Sequence, residues 1–294
     1  MKRGTPGASP LLQPAKAAAN RAEEARLIAS ARKGDAAALT SLLERAAGPA
    51  HRFSSGFCRD PHDAEDLVQE VLAALMRSLG SFRGESSLST WTYTVARRAC
   101  GRLRKRQGRQ SSLDELARTT EFVADASREP ERRLERRQLG AALEGAIAAL
   151  PLPQREVLVL RDVEGLPAAE VGRVLGLGER AVKSRLHRAR LALRERLAPF
   201  VVGRDAPAPA AGCPDTARLL SRYVEGELSP GVCARLEGHV SACPACGGAC
   251  DSLREVLGAC RDYGERALPA QLRREVRAAI RGAMAAAKGK PRRG

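Results

Sequence analysis

A cluster of soft metal ligands near the C-terminal end constrains the fold of this chain more than any other feature. His239, Cys243 and Cys246 form a His-x3-Cys-x2-Cys pattern, and Cys213 lies upstream of them. Three such ligands within eight residues fit a tetrahedral metal site of the kind that zinc occupies. A block this short has little hydrophobic core of its own, so a bound metal would supply much of its folding free energy. The pattern predicts a small metal-stabilised domain.

The charge of the chain indicates a polyanionic partner. The 294 residues carry a net charge of +16, which favours nucleic acid. The sequence has no apolar run of about 18 residues that could span a bilayer, and its basic start lacks the apolar core of a signal peptide. We therefore expect a cytoplasmic protein with no membrane partner. In that compartment its eight cysteines would bind metal or sense redox state rather than form disulfides.

The composition predicts an all-α fold. Aromatic residues make up only 3% of the chain, whereas the helix formers Ala, Leu, Arg and Glu are plentiful. The length suits two or three small domains. The predicted order is a disordered tail (1–21), a first helical domain (22–107), a linker (108–135), a second helical domain (136–200), a Pro/Ala/Gly tether (201–212), a Cys-rich block (213–263) and a basic tail (264–294).

The first helical domain carries an acidic helix face. On a helix over residues 60–80, Asp63, Asp66 and Glu70 fall within roughly 60° of one another, opposite a broad apolar stripe. Such a face is often only solvated. Here it precedes a strongly basic segment, and the combination indicates a protein-docking face.

The basic segment follows directly. Residues 86–113 contain no acidic side chain, and arginines accumulate there behind Trp91 and Tyr93. Aromatic rings beside arginines and hydroxyl groups suit unstacked bases and phosphates. For Trp91, a role as a core anchor is the alternative. The candidate nucleic-acid contacts are Trp91, Tyr93, Arg97, Arg98, Arg102 and Arg104.

Residues 167–197 are typical of a helix-turn-helix. Gly176 permits the positive φ that a tight turn between the two helices needs. The second helix would enter the major groove of duplex DNA. The alternative is a basic amphipathic helix that enters no groove. The candidate base-reading side chains are Arg180, Lys183, Ser184, His187 and Arg188.

Residues 22–200 resemble a bacterial RNA polymerase sigma factor of the extracytoplasmic-function type. The most specific segments are residues 63–98, which include DAEDLVQEVLAAL, and residues 152–197, which include GERAVKSRLHRAR. The resemblance implies that the first helical domain is sigma region 2 and the second is sigma region 4. Region 4 would read the −35 element as duplex DNA, and region 2 would open and read the −10 element. Members commonly carry Asn where this chain has Arg98, so a phosphate contact is implied there. The side chains that would bind the β′ clamp helices of core polymerase are Asp63, Asp66, Gln69 and Glu70.

The Cys-rich block resembles the zinc-binding domain of anti-sigma factors, and the whole chain resembles metal-responsive sigma factors with a fused Cys-rich tail. The resemblance implies that Cys213, His239, Cys243 and Cys246 bind a structural zinc ion, and that no separate anti-sigma factor is required. Three further thiols exceed the pattern and are candidates for sensing or for a second soft ion such as Zn, Cd or Cu. They are Cys233, Cys250 and Cys260.

The function that these features favour is promoter-specific transcription initiation, regulated in cis by metal. One alternative is the same sigma factor controlled by a thiol–disulfide switch. Another is a helix-turn-helix regulator that works without polymerase, but it would have no use for the acidic face. A zinc hydrolase would need an open coordination position and a general base, and the Cys-dominated ligand set offers neither. We therefore expect no enzymatic activity.

Overall fold

The structure is a computed structural model and describes residues 14–57, 61–80, 86–106, 130–201, 211–265 and 270–288. No strand occurs within these ranges, which confirms the predicted all-α fold. None of the described helices is long and apolar enough to cross a bilayer. The helices are α1 (Pro14–Arg32), α2 (Ala36–Phe57), α3 (Pro61–Ser78), α4 (Leu88–Arg106), α5 (Pro130–Ala148), α6 (Leu152–Leu158), α7 (Ala168–Leu175), α8 (Glu179–Leu197), α9 (Thr216–Val224), α10 (Pro230–Ala242), α11 (Pro244–Glu265) and α12 (Ala270–Lys288), with a π-helical segment (Val159–Val163) after α6 and a 3-10 turn (Ala198–Phe200) after α8.

The described helices form two compact units. The N-terminal unit comprises mainly α1 to α4 together with α12, and the C-terminal unit comprises mainly α5 to α11. Helices that are neighbours in the sequence are therefore not always grouped in the same unit. The last helix belongs with the first four, and the Cys-rich block belongs with the helix-turn-helix.

In the N-terminal unit, α2, α3 and α4 pack on one another around an apolar core. Apolar side chains three or four residues apart form the buried stripe of each helix, as the sequence pattern requires. The basic α12 packs on α2. Val276 and Ile280, one turn apart, are buried there, and Arg277 Nε donates to Glu44 Oε1 at 2.6 Å. The segment predicted as a basic tail therefore docks on the first helical domain. The largest buried core side chains of this unit are Leu42, Leu43, Leu67, Leu75 and Tyr93.

In the C-terminal unit, the long helix α11 packs against α5, α8, α9, α10 and the π-helical segment. Its last turn approaches that segment so closely that a Cβ at Gly264 would overlap the carbonyl oxygen of Val163. Only glycine fits such an approach without a shift of the backbone. The turn between α7 and α8 contains Gly176 at φ +69°, which confirms the predicted glycine turn. The Cys-rich block thus folds onto the helix-turn-helix.

Two predicted boundaries need correction. Helix α1 begins at Pro14, inside the segment predicted as a disordered tail, and α5 begins at Pro130, inside the predicted linker. Proline is favoured in the first turn of a helix because its fixed φ suits the helix and its missing N–H would have no partner there. The rest of the predicted tail (1–13) and linker (108–129), and most of the predicted tether (202–210), lie outside the described residues.

Candidate metal centre and DNA-reading helix

Four side chains from three helix ends meet at one point of the Cys-rich block. Cys213 precedes α9, His239 lies in the last turn of α10, Cys243 caps that helix, and Cys246 lies in the first turn of α11. Their ligand atoms all lie within 4.8 Å of one another. The four residues that the sequence predicted as metal ligands are therefore brought together by the fold.

The chemistry of this cluster fits zinc. Nε2 of His239 is buried and has no hydrogen-bond partner, an arrangement that is costly unless its lone pair binds a metal. The Sγ atoms of Cys213 and Cys243 lie 3.9 Å apart. Two thiolates on a tetrahedral zinc ion lie about 3.8 Å apart, because each Zn–S bond is about 2.3 Å long. Three thiolates and one imidazole would complete a tetrahedron around such an ion, as in structural zinc sites, and would leave no open position for catalysis.

The three remaining thiols of the Cys-rich block do not form a second cluster. Within the described residues, only the Cys213 group brings three or more potential ligands together. Cys250 belongs to the hydrophobic core of the block, and burial raises the pKa of the fully buried Cys260 far above its usual range. Cys233 is half-buried, with its Sγ 3.9 Å from the Leu228 carbonyl oxygen. The prediction of a second soft-metal site is therefore not supported.

A buried charge network joins α8 to the Cys-rich block. Nε and Nη2 of Arg190 donate to the two carboxylate oxygens of Asp162 at 2.8 and 2.6 Å. Nη2 also donates to Glu225 Oε1 at 2.8 Å, and Nη1 donates to Ser221 Oγ at 3.1 Å. Arg161 Nε donates to the other oxygen of Glu225 at 3.1 Å. Because buried charges are tolerated only when they are paired and hydrogen-bonded, this network fixes the position of α9 on α8.

The Cys-rich block covers one side of α8 and leaves the adjacent side open. Lys183 Nζ lies 2.8 Å from Glu227 Oε1, and this hydrogen bond raises the pKa of Lys183. His187 is half-buried, its Nδ1 is buried without a hydrogen-bond partner, and burial lowers its pKa. The five predicted base-reading residues therefore form two rows. Those of the open row, all exposed, are Arg180, Ser184 and Arg188.

The predicted docking face lies on α3. Asp66 and Gln69 are exposed, and Asp63 is partly exposed. Glu70 forms an ion pair with Arg102 of α4. The acidic face and the basic segment therefore meet at this pair, and Asp66 is the carboxylate of the predicted set that lies furthest into solvent.

The predicted −10 contacts lie on α4 with differing exposure. Arg97 and Arg98 are exposed and adjacent, and Trp91 is half-buried. Tyr93 is fully buried, and its ring packs edge-on against a phenylalanine of α2 with the centroids 5.6 Å apart. The interpretation of Tyr93 as a base-contacting ring is therefore wrong, because tertiary packing uses that ring in the core. The side chain of Arg104 lies outside the described residues.

The carboxylates of the Cys-rich block that bind α8 were not among the residues predicted from the sequence. A signal was present in the spacing of α8, where Arg190 falls in the row of Leu186 and Leu193, whose side chains are fully buried. A charged residue at a buried position of an amphipathic helix requires a buried partner of opposite charge. That partner could have been sought among the acidic residues Glu225 and Glu227 that follow α9.

Three family models match the chain. Sigma-70 region 2 matches residues 42–110, sigma-70 region 4 matches residues 140–193, and a putative zinc finger matches residues 213–247. The first two matches fall on the acidic helix with the basic segment and on the helix-turn-helix. The third includes all four residues of the metal centre.

Curated relatives agree with these matches. The chain is 31% identical to the ECF RNA polymerase sigma factor SigM of Mycobacterium tuberculosis, over 59% of this chain and 84% of the relative. It is 30% identical to the RNA polymerase sigma-H factor of Pseudomonas aeruginosa, over 61% of this chain and 96% of the relative. It is 29% identical to the ECF RNA polymerase sigma-E factor of Escherichia coli, over 60% of this chain and 94% of the relative.

Two solved structures are also similar. The sigma factor RpoE in complex with the anti-sigma factor NepR from Bartonella quintana aligns at 22% identity and a TM-score of 0.43, over 57% of this chain and 97% of that chain. CnrH in complex with the cytosolic domain of CnrY aligns at 23% identity and a TM-score of 0.43, over 60% of this chain and 98% of that chain. The expectation that this chain requires no separate anti-sigma factor stays a prediction. From the relatives and family models, the chain belongs to the extracytoplasmic-function family of RNA polymerase sigma factors, which are non-enzymatic factors of transcription initiation.

Proposed function

We propose that this sigma factor binds core RNA polymerase through α3, recognises promoter DNA through α4 and α8, and is regulated in cis by its zinc-binding Cys-rich block. The observation that carries the cis regulation is the contact of Glu227 with Lys183, because it places an acidic side chain of the Cys-rich block on a predicted DNA-reading residue. Core polymerase, double- and single-stranded promoter DNA and zinc are the partners that this function requires, and its place is the cytoplasm.

Docking on core polymerase uses the acidic face of α3. Asp66 and Gln69 offer exposed polar groups, and Asp63 adds a second carboxylate beside them. Complementary charge steers association and fixes register, so a face of this kind suits a basic surface of the polymerase. Glu70 contributes through its ion pair with Arg102, which holds the adjoining segment of α4 in place.

Recognition of the −10 element uses α4. The exposed guanidinium groups of Arg97 and Arg98 suit phosphates, and the half-buried ring of Trp91 presents an edge for an unstacked base. Arg102 and Arg104 continue the basic surface in sequence. Phosphate contacts of this kind supply affinity that decreases with salt and carries little sequence information.

Recognition of the −35 element uses α8 in the major groove of the duplex. The exposed row of Arg180, Ser184 and Arg188 offers two cationic groups and a hydroxyl at spacings of four residues. Arginine donates to two acceptors of guanine at once, which makes it the side chain most suited to discrimination. We expect Arg188 to be the strongest determinant because it is exposed and, of the three, lies furthest around the helix from the covered side.

Zinc would be held by Cys213, His239, Cys243 and Cys246, and when bound it supplies folding free energy to a block with a small core. These four residues join the start of α9 to the end of α10 and the start of α11. Through α9 they also fix the position of the acidic residues that contact α8. The last helix, α12, contacts α2 of the region 2 domain. The C-terminal part of the chain thus contacts both proposed DNA-binding domains, which supports regulation in cis.

Control by metal is better supported than control by a thiol switch. A redox-sensing cysteine needs an exposed thiol that forms thiolate readily. Outside the four ligands, Cys250 and Cys260 are buried, and burial raises the pKa of Cys260. Cys233 is the one thiol of the three with partial exposure. Within the described residues, none of these three thiols belongs to a group of three or more potential metal ligands.

Binding to core polymerase provides the test of the proposed function. Asp66→Lys reverses an exposed charge on the proposed docking face and should reduce capture of core polymerase at least tenfold. Glu65→Lys makes the same charge change at another exposed position of α3, about 100° around the helix from Asp66, and this variant should bind core polymerase normally. Equal capture by the two variants, both with wild-type circular dichroism, would contradict the proposed docking face.

A further inference from the structure

The covered and open sides of α8 are separated by a small rotation about its axis. At about 100° per residue, Arg180, Ser184 and Arg188 spread over about 80°, and Lys183 and His187 lie just beyond the edge of that row, on the side of Arg190. The Cys-rich block therefore covers one flank of the recognition helix. It leaves the neighbouring flank accessible to a duplex.

Glu227 is the residue that occupies this flank. Its carboxylate accepts from Lys183 Nζ at 2.8 Å and lies 3.6 Å from Arg222 Nε. A carboxylate on an ammonium group takes the place that a phosphate oxygen or a base acceptor would take in a DNA complex. DNA can use Lys183 only after this ion pair is broken.

The position of Glu227 is fixed by its neighbour in sequence. Glu225, two residues before it, is held by Arg190 at 2.8 Å and by Arg161 at 3.1 Å, and its side chain is only 5% exposed. Removal of the whole block from α8 would break both of these ion pairs. The segment that carries Glu227 is therefore anchored beside the recognition helix, whereas the Lys183–Glu227 pair itself is about one-third exposed and open to competition.

We propose that Arg180, Ser184 and Arg188 determine the −35 specificity of the full chain, and that Glu227 withholds Lys183 from DNA in cis. This inference rests on the proposed −35 recognition by α8. It reduces the five predicted base-reading residues to three. It also assigns Glu227 as the residue that keeps a fourth, Lys183, from contacting DNA. His187 is withheld together with Lys183 because it lies on the same covered flank.

Chemical labelling tests the restraint without DNA. The zinc-loaded full chain is acetylated with an amine-reactive ester, and labelling of Lys183 is followed by mass spectrometry. Glu227→Gln should increase the rate of acetylation at Lys183 about two- to fivefold, in line with the strength of a partly exposed ion pair. Glu237→Gln is the matched control, because it removes the same charge from an exposed position of α10. An unchanged rate at Lys183 in Glu227→Gln would overturn the proposal.

Selection of bound duplexes from random DNA tests which residues of α8 determine the −35 specificity. Full-length wild type and variants are incubated with a pool of duplexes carrying a randomised centre, and the bound sequences are determined. Lys183→Ala should select the same sequences as wild type, whereas Arg188→Ala should lose a base preference at one position. Glu227→Gln should bind the wild-type-selected duplex about two- to fivefold more tightly, and Lys183→Ala in that background should abolish the gain.

Two results of the selection would overturn the proposal. One is a change of selected sequence in Lys183→Ala as large as that in Arg188→Ala. The other is a gain in Glu227→Gln that survives the loss of Lys183 or is matched by Glu237→Gln. Failure of every variant to select any sequence, with labelling of Lys183 as expected, would instead overturn the −35 recognition on which this inference rests.

Discussion

Arg190 of the recognition helix donates a 2.8 Å hydrogen bond to Glu225 of the Cys-rich block, and the two side chains are only 1% and 5% exposed. With Asp162 on the other side of the guanidinium, the arginine has two carboxylate partners in the interior of the C-terminal unit. The helix-turn-helix and the Cys-rich block therefore share a buried charge network as well as an apolar interface. Regulation by full detachment of the block would expose or strand these charges, so we expect regulation to act locally, at the exposed edge of the interface.

Loss of Arg190 should be strongly destabilising. Arg190→Ala leaves the buried carboxylates of Asp162 and Glu225 without their main partner, which typically costs about 3–5 kcal/mol. Urea unfolding of the full chain followed by circular dichroism measures the change. Arg188→Ala, on the exposed row of the same helix, is the control and should change the free energy of unfolding by less than about 0.5 kcal/mol. Similar midpoints for the two variants would show that the buried network contributes nothing.

Zinc content should depend on the four ligands and not on the other thiols. Cys243→Ser and Cys246→Ser should lose zinc, measured by mass spectrometry of the metal, and should lower the melting temperature. Cys233→Ser, at a partly exposed position outside the cluster, should keep both wild-type values. Cys260→Ser should keep zinc but lose about 1–3 kcal/mol of stability, because it places a hydroxyl group in a fully buried site. Full zinc content in Cys243→Ser would contradict the assigned ligand set.

The stability of the N-terminal unit should fall in mild acid. Burial, with a smaller contribution from Arg52, lowers the pKa of His51 to about 4. The unfolded chain binds a proton near pH 6.5, whereas the folded unit does so only near pH 4. The unit is therefore fully stable above pH 6.5 and loses free energy of unfolding as the pH falls from 6.5 to 4, by about 3 kcal/mol in all.

The single tryptophan of the chain, Trp91, lies in the same unit and reports its unfolding. Urea titrations followed by its fluorescence at pH 7.5 and pH 5 should show a lower midpoint at pH 5. His51→Gln should remove most of this difference, and the exposed His62→Gln should not. A pH dependence that is the same in His51→Gln as in wild type would contradict the assignment to His51.

The sequence predicted those parts of the structure that depend on local pattern. Ligand spacing identified Cys213, His239, Cys243 and Cys246, and the glycine at position 176 identified the turn, because each is set by a few neighbouring residues. The pairing of Arg190 with Glu225 joins residues 35 positions apart. The helical period of α8 indicates that Arg190 needs a buried acidic partner, but it does not identify which residue provides it. Tyr93 shows that a local pattern can also mislead. An aromatic ring beside arginines in the sequence indicates a contact with DNA, but in the structure this ring fills the core.

The docking of α12 on α2 also could not be predicted from the sequence. The amphipathic pattern of α12 indicates that it needs an apolar partner, and Val276 and Ile280 are the residues that use it. Which surface provides that partner depends on the tertiary path of the chain. Arg277 and Glu44, which meet at 2.6 Å, are 233 residues apart.

Transcription in vitro with purified core polymerase is the most direct measurement of the central claim that this chain directs promoter-specific initiation through α3 and α8. Fragments of the genome that encodes the chain serve as templates, and RNA 5′ ends are mapped by sequencing. We predict defined start sites, preceded by shared −35 and −10 sequences, that core polymerase alone does not produce. Asp66→Lys should lose them, and Glu227→Gln should increase their yield without moving them. Start sites identical to those of core polymerase alone, or full activity in Asp66→Lys, would contradict the account.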